Sequence, residues 1–204
     1  MRRCLVSWPR RRSVDFRQGM GFMALFPVGK PYPNFFKVQR HYPSYLHLPD
    51  KQGRLVEWQE AGLLDPRGLL ETEGLTAEMV RDYNVWKALF QYDVWLKRDG
   101  SQECTIIMDM KGFGLSKITP TMLRIFSLSY QVVQKHLPDR EHVVVAINAP
   151  SWWGRIWAFF KPLLAKEQQR RLRVSTINED PYLTLRELLD NEPRVAFQDN
   201  FRSF

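Results

Sequence analysis

The stretch Thr105-Ile106-Ile107-Met108-Asp109-Met110-Lys111-Gly112 decides the fold. Its β-branched and apolar run ends abruptly in Asp, Lys and Gly. A short continuous run of this kind, closed by turn residues, suits a strand buried on both faces, as in a parallel sheet. His142-Val143-Val144-Val145-Ala146-Ile147-Asn148 repeats the character, and Leu172-Arg173-Val174-Ser175-Thr176 does so more weakly. A helical stretch separates each run from the next. The order strand–helix–strand–helix–strand predicts an α/β fold, a mixed and partly parallel sheet covered by helices on right-handed crossovers.

Working outward, Asp50-Lys51-Gln52-Gly53 reads as a turn, and Arg54-Leu55-Val56-Glu57-Trp58 after it as an alternating strand. Thr76 has the capping hydroxyl of a helix start. Apolar positions Val80, Tyr83, Trp86, Phe90 and Val94 carry that helix to about Leu96. Thr119-Pro120 opens a second helix, with proline at its first position and a stripe of Met122, Ile125, Phe126 and Ser129. The segment from Ser151 to Leu164 is predicted as one further helix. Trp152, Trp153, Trp157, Phe159 and Phe160 make it apolar on more than one face. Such a helix is either deeply buried or lines something that is itself apolar.

A chain of 204 residues with 44% hydrophobic content can bury a core. The net charge of +8 is uneven: residues 1–50 hold nine Lys and Arg against two acids, and the rest is nearly neutral. The basicity belongs to an irregular leader, residues 1–41, that Pro9, Pro27, Pro31 and Pro33 break repeatedly. The leader is compatible with a solvated end, with an organellar transit peptide, or with contact to an anionic membrane or nucleic acid. Its apolar run at Cys4–Trp8 is too short for a secretory signal, and no apolar run reaches the roughly 18 residues of a membrane span. The nearly neutral body carries no nucleic-acid motif, so no nucleic-acid partner is expected.

No Gly-x-Ser-x-Gly elbow, phosphate-cradling Gly-x-x-x-x-Gly-Lys or Gly-x-Gly-x-x-Gly is present. The four histidines and two cysteines lack metal-ligand spacing, so neither a metal nor a cofactor is expected. Nothing assembles a nucleophile, a base and an oxyanion site, and the expectation is a protein that is not an enzyme.

Five motifs stand in register. They are Asp50-Lys51-x-Gly53-Arg54, residues 105–112, Leu137-Pro138-Asp139-Arg140, Ile147-Asn148-Ala149-Pro150 and Phe160-Lys161-Pro162-Leu163-Leu164. With them, residues 42–176 resemble the CRAL-TRIO lipid-binding family, in particular its phosphatidylinositol/phosphatidylcholine transfer branch. The resemblance implies a sheet floor under helices, an apolar pocket for one lipid, and a helical gate made by Trp152, Trp153, Trp157 and Phe160. It implies phosphatidylinositol as the favoured ligand, carried or presented between membranes by a monomer. The protein would then be cytoplasmic, in transient contact with membrane surfaces.

By the same resemblance Asp139 stands where an acid contacts the inositol headgroup, Arg171 replaces a lysine of that site, and Thr105 matches a hydroxyl of the choline-lipid site. The hydroxyl's usual partner is Glu103 here, and two tyrosines of that site are Leu46 and Glu57. The family's helical subdomain before this module is absent, with Trp8 to Phe16 resembling its end. Its closing proline-x-x-Phe-Gly-Gly is replaced by Pro193-Arg194-Val195-Ala196-Phe197-Gln198-Asp199, so residues 42–204 read as a domain with a divergent or truncated end. The rival reading is an interaction module with this fold and no cavity.

Overall fold

Residues 104–109 form the central strand of a five-stranded sheet, flanked on both sides. In the computed structural model the described residues are 32–47, 49–91, 103–136, 141–164 and 166–189. The first elements are helix α1 (Phe35–His41), strands β1 (Ser44–His47) and β2 (Leu55–Gln59), and helix α2 (Ala77–Gln91). Strand β3 (Cys104–Asp109), helix α3 (Pro120–His136) and strand β4 (Glu141–Ala149) follow. Helices α4 (Trp153–Phe160) and α5 (Lys166–Arg171), strand β5 (Leu172–Thr176) and helix α6 (Pro181–Leu188) complete the described fold. Where the pattern predicts one helix from Ser151 to Leu164, the chain has α4 and then a 3₁₀ turn at Lys161–Leu163. Pro162 has no N–H to continue the ladder. The basic run after it forms α5, and residues 35–41 of the expected leader form α1, with Phe35 and Val38 buried.

The strand order is β1-β2-β3-β4-β5, with β1 antiparallel to β2 and the other pairs parallel. Three parallel connections step the same way across the sheet, and right-handed crossovers therefore deliver α2, α3 and α4 to one face. The alternation of β3 shows the division. Cys104, Ile106 and Met110 join the core under the helices, which includes Leu69, Tyr83 and Ile125. Ile107 joins Val56, Trp58, Val143, Val145 and Ile147 on the other face, which α6 covers with Leu185 and Leu188. The predicted caps are in place: Thr76 Oγ1 accepts from Met79 N and Thr119 Oγ1 from Met122 N, each at 3.2 Å.

Asp50 is buried at the turn between β1 and β2, where Gly53 has φ +78°. Its Oδ1 accepts the N–H groups of Gln52 and Arg54, both at 2.9 Å. Its Oδ2 accepts Arg54 Nε at 2.8 Å and the Thr105 hydroxyl at 2.9 Å. The Asp-Lys-x-Gly-Arg motif is thus a turn that grips β3. A second close contact lies at the other end of the sheet: a Cβ on Gly62 would stand 1.8 Å from the Lys111 carbonyl oxygen.

Gly62→Ala is expected to lower stability by at least about 1–3 kcal/mol, since backbone must shift to admit the methyl. Thr105→Val removes a hydrogen bond to a buried carboxylate and is expected to cost about 1.5–3 kcal/mol. Urea unfolding of each variant checks both; unchanged midpoints would contradict the packing described.

Candidate functional site

A cavity of about 170 Å³ lies on the helical side of the sheet. Its floor is Met108 and Met110, which β3 turns to this face. One wall is Tyr42, Ala61 and Leu64 from the segments flanking β1 and β2, and α3 adds Phe126, Ser127 and Tyr130. The opposite wall is Trp153 and Trp157 of α4, with Leu164 and Leu172 beyond. Among the described lining residues none is charged; the polar side-chain groups are the hydroxyls of Tyr42, Ser127 and Tyr130 and the indole N–H groups of Trp153 and Trp157. Such a surface favours hydrocarbon over any charged group, which would lose its hydration without a partner.

The hydroxyl of Tyr42 opens a polar chain leading away from the cavity. It donates to Gln59 Oε1 at 2.8 Å, and Gln59 Nε2 donates to Glu57 Oε1 at 2.7 Å. The fully buried Glu57 also accepts Lys87 Nζ and Gln91 Nε2, each at 2.6 Å. Burial, reinforced by the Glu57 charge, raises the pKa of Tyr42 well above the ordinary phenol value, so the hydroxyl stays a neutral donor. This network escapes sequence reasoning, which meets Glu57 only as a replaced tyrosine. The available signal was Lys87 and Gln91 at i,i+4 on α2, a spacing that sets both side chains over one strand position.

The expected gate residues are placed unevenly. Trp153 and Trp157 line the cavity. Trp152 stands beside it, its ring 6.3 Å from that of Phe113, which also meets Trp153 edge-on at 6.2 Å. Phe160 ends α4, and its side chain lies outside the described residues. No side chain caps the start of α4.

Thr105 departs from the expected headgroup role. It is fully buried, shares the α6-facing side of β3 with Ile107, and gives its hydroxyl to Asp50, because the β period sends alternate residues to opposite faces. Asp139 lies outside the described residues. Arg171 ends α5 directly before Leu172, which lines the cavity. Its guanidinium donates to the Glu141 carbonyl and stands 3.9 Å from Glu103 Oε1 and 3.6 Å from Glu167 Oε1. Glu103 Oε2 in turn lies 3.1 Å from His142 Nδ1. Arg171 and Thr105 are therefore held by different partners, Arg171 by Glu141, Glu103 and Glu167 and Thr105 by Asp50.

Among the described residues no helix is long and apolar enough to cross a membrane, and no group of three or more His, Cys, Asp or Glu side chains could hold a metal. The chain is 29% identical over 136 residues to the SEC14 cytosolic factor of Candida glabrata, a match covering 62% of this chain and 43% of that protein. It is 30% identical over 128 residues to the Sec14 cytosolic factor of Schizosaccharomyces pombe, covering 60% and 43%. It is 25% identical over 151 residues to the phosphatidylinositol/phosphatidylcholine transfer protein SFH4 of Arabidopsis thaliana, covering 70% and 24%. Each match spans less than half the length of the curated relative. Among solved structures, the crystal structure of Sfh5 aligns with 79% of this chain and 55% of its own at 14% identity and a TM-score of 0.49. The family model for the CRAL/TRIO domain matches residues 39–193, and the chain belongs to that family.

Proposed function

We propose that the chain binds one phospholipid and carries or presents it between membranes, without making or breaking a covalent bond. The uncharged cavity behind an aromatic helix carries this reading, because such a surface suits acyl chains and offers a charged headgroup no ion-pair partner among the described lining residues. The headgroup therefore belongs at the rim. Phosphatidylinositol is the favoured ligand. Arg171 is assigned to its phosphate, since it precedes the cavity-lining Leu172 in the chain and a guanidinium that exchanges Glu103 and Glu167 for a phosphate can meet it with a two-pronged hydrogen bond. Asp139, two residues before Glu141, is assigned to the inositol hydroxyls. The names of the plant relatives, phosphatidylinositol/phosphatidylcholine transfer proteins, support the same class.

At about 170 Å³ the cavity is smaller than the 300–1,000 Å³ or so of pockets for drug-sized ligands. A two-chain lipid enters only when α4 moves outward. Trp152, Trp153, Trp157 and Phe160 are accordingly assigned to a gate, and the exchange takes place at the membrane surface, with the protein peripheral to it in the cytoplasm. The small volume also favours the rival reading, an interaction module of this fold whose own side chains fill the space.

Organic extraction of the purified, folded chain followed by mass spectrometry separates the two. The expected result is stoichiometric phosphatidylinositol. Arg171→Ala is expected to lower its loading roughly tenfold, the value of one charge-assisted contact, while phosphatidylcholine loading stays as it was. A folded chain that yields no lipid and moves none between vesicles would establish the interaction module instead.

A further inference from the structure

A second cavity, of about 250 Å³, lies across the sheet from the first. The two are back to back at the end of β3: Met108 and Met110 line one, Asp109 and Lys111 the other. Its floor is apolar, made by Trp58, Ile147 and Leu185, and the exposed Ile177 forms one side. The site is at the carboxyl ends of the parallel strands β3 and β4, where open α/β sheets characteristically take ligands.

Its polar groups are arranged with unused capacity. Asp109 Oδ1 accepts two hydrogen bonds, from Lys111 N and from Asn148 Nδ2, both at 2.9 Å. These fix the carboxylate, and its Oδ2 takes no hydrogen bond among the described residues. Asn148 reaches this position only through a left-handed backbone, φ +54°, at the point where the pairing of β4 with β5 shifts register. Asn tolerates that region better than most residues, and such conformations cluster at functional sites. Lys111, two residues from Asp109 and also on this cavity, makes no ion pair or side-chain hydrogen bond among the described residues. The neighbouring acids are engaged otherwise: Glu179 Oε2 accepts Thr176 N at 2.8 Å and Asp180 Oδ1 accepts Tyr182 N at 2.9 Å.

We propose that this cavity binds a small zwitterion with an apolar body, its ammonium at Asp109 Oδ2, its carboxylate at Lys111 Nζ and its side chain over Trp58, Ile147 and Leu185. A preoriented carboxylate and an exposed ammonium of opposite sign, set beside an apolar floor, match the two charges and the hydrocarbon of an amino acid such as phenylalanine. The volume is too small for a peptide of several residues and suits one compact molecule. The inference is independent of the lipid reading, since the sheet lies between the cavities and each binds on its own side.

The probe is L-phenylalanine, titrated to about 10 mM against the isotopically labelled full chain with amide shifts followed by NMR. One saturable event is expected, confined to residues 109–111, 147–149 and 181–185. N-acetylphenylalanine and phenylalaninamide each lack one charge and are expected to bind at least about tenfold more weakly. Asp109→Asn retains the acceptor oxygen for Asn148 and Lys111 N and removes the charge, so it too is expected to weaken phenylalanine about tenfold while leaving lipid loading unchanged. The proposal is overturned by no saturable shift at the highest concentration, by shifts centred on Phe126 and Trp157, or by equal affinity for phenylalanine and its uncharged-end analogues. None of these results alters the amount of lipid extracted, so failure here and failure of the lipid reading are distinguishable.

Discussion

A single buried carboxylate, that of Asp50, ties the start of the sheet to its centre. Removing such a group from water is costly unless its oxygens are fully engaged, and here four donors engage them. Two donors are backbone groups of its own turn, one is Arg54, and one is Thr105 on β3. The turn cannot drift relative to β3 without stranding that charge. Lys51, next in the chain, donates its N–H to the Leu188 carbonyl at 2.8 Å, so the end of α6 is fastened to the same turn. One local motif thereby sets the register of β2 on β3 and the position of the helix behind them.

Glu57 performs a similar service on the other face. Lys87 and Gln91 of α2 and Gln59 of its own strand hold it, and the chain continues to Tyr42 on the cavity wall. That wall is thus anchored by directional, mutually dependent bonds, which are stiff. The wall formed by α4 is of another kind. Its ring contacts with Phe113 are dispersive and tolerate sliding, and its start has no side-chain cap.

The backbone plan was legible because apolar runs, caps and proline positions act locally. Residues 105–108 announced a doubly buried strand, and Thr76 and Thr119 announced their helices. What was not legible depends on partners distant in the chain. Thr105 looks like a polar group available to a ligand, but its facing follows from strand parity and its partner is 55 positions earlier. Glu57 looks like the polar member of an alternating strand, although it is one of the most buried residues in the protein. Pro162 is a local signal for the break after α4, but the continuous aromatic content of 151–164 masks it. The headgroup assignment at Arg171 came from family likeness alone, as no local pattern distinguishes it from Arg170 or Arg173.

The sequential strand order leaves β5 at the rim of the sheet, paired on one side only among the described residues. An open parallel rim is a template on which another chain can add a strand and begin to aggregate. Several modest features discourage that here. The strand is five residues long, the register shift beside Asn148 interrupts its pairing, and Arg173 sets a charge on it that Glu187 of α6 holds at 3.0 Å. Val174, 40% exposed, is the apolar residue this arrangement leaves uncovered. Arg173, next in the chain to the cavity-lining Leu172, thus also guards an edge at which copies of the chain could pair.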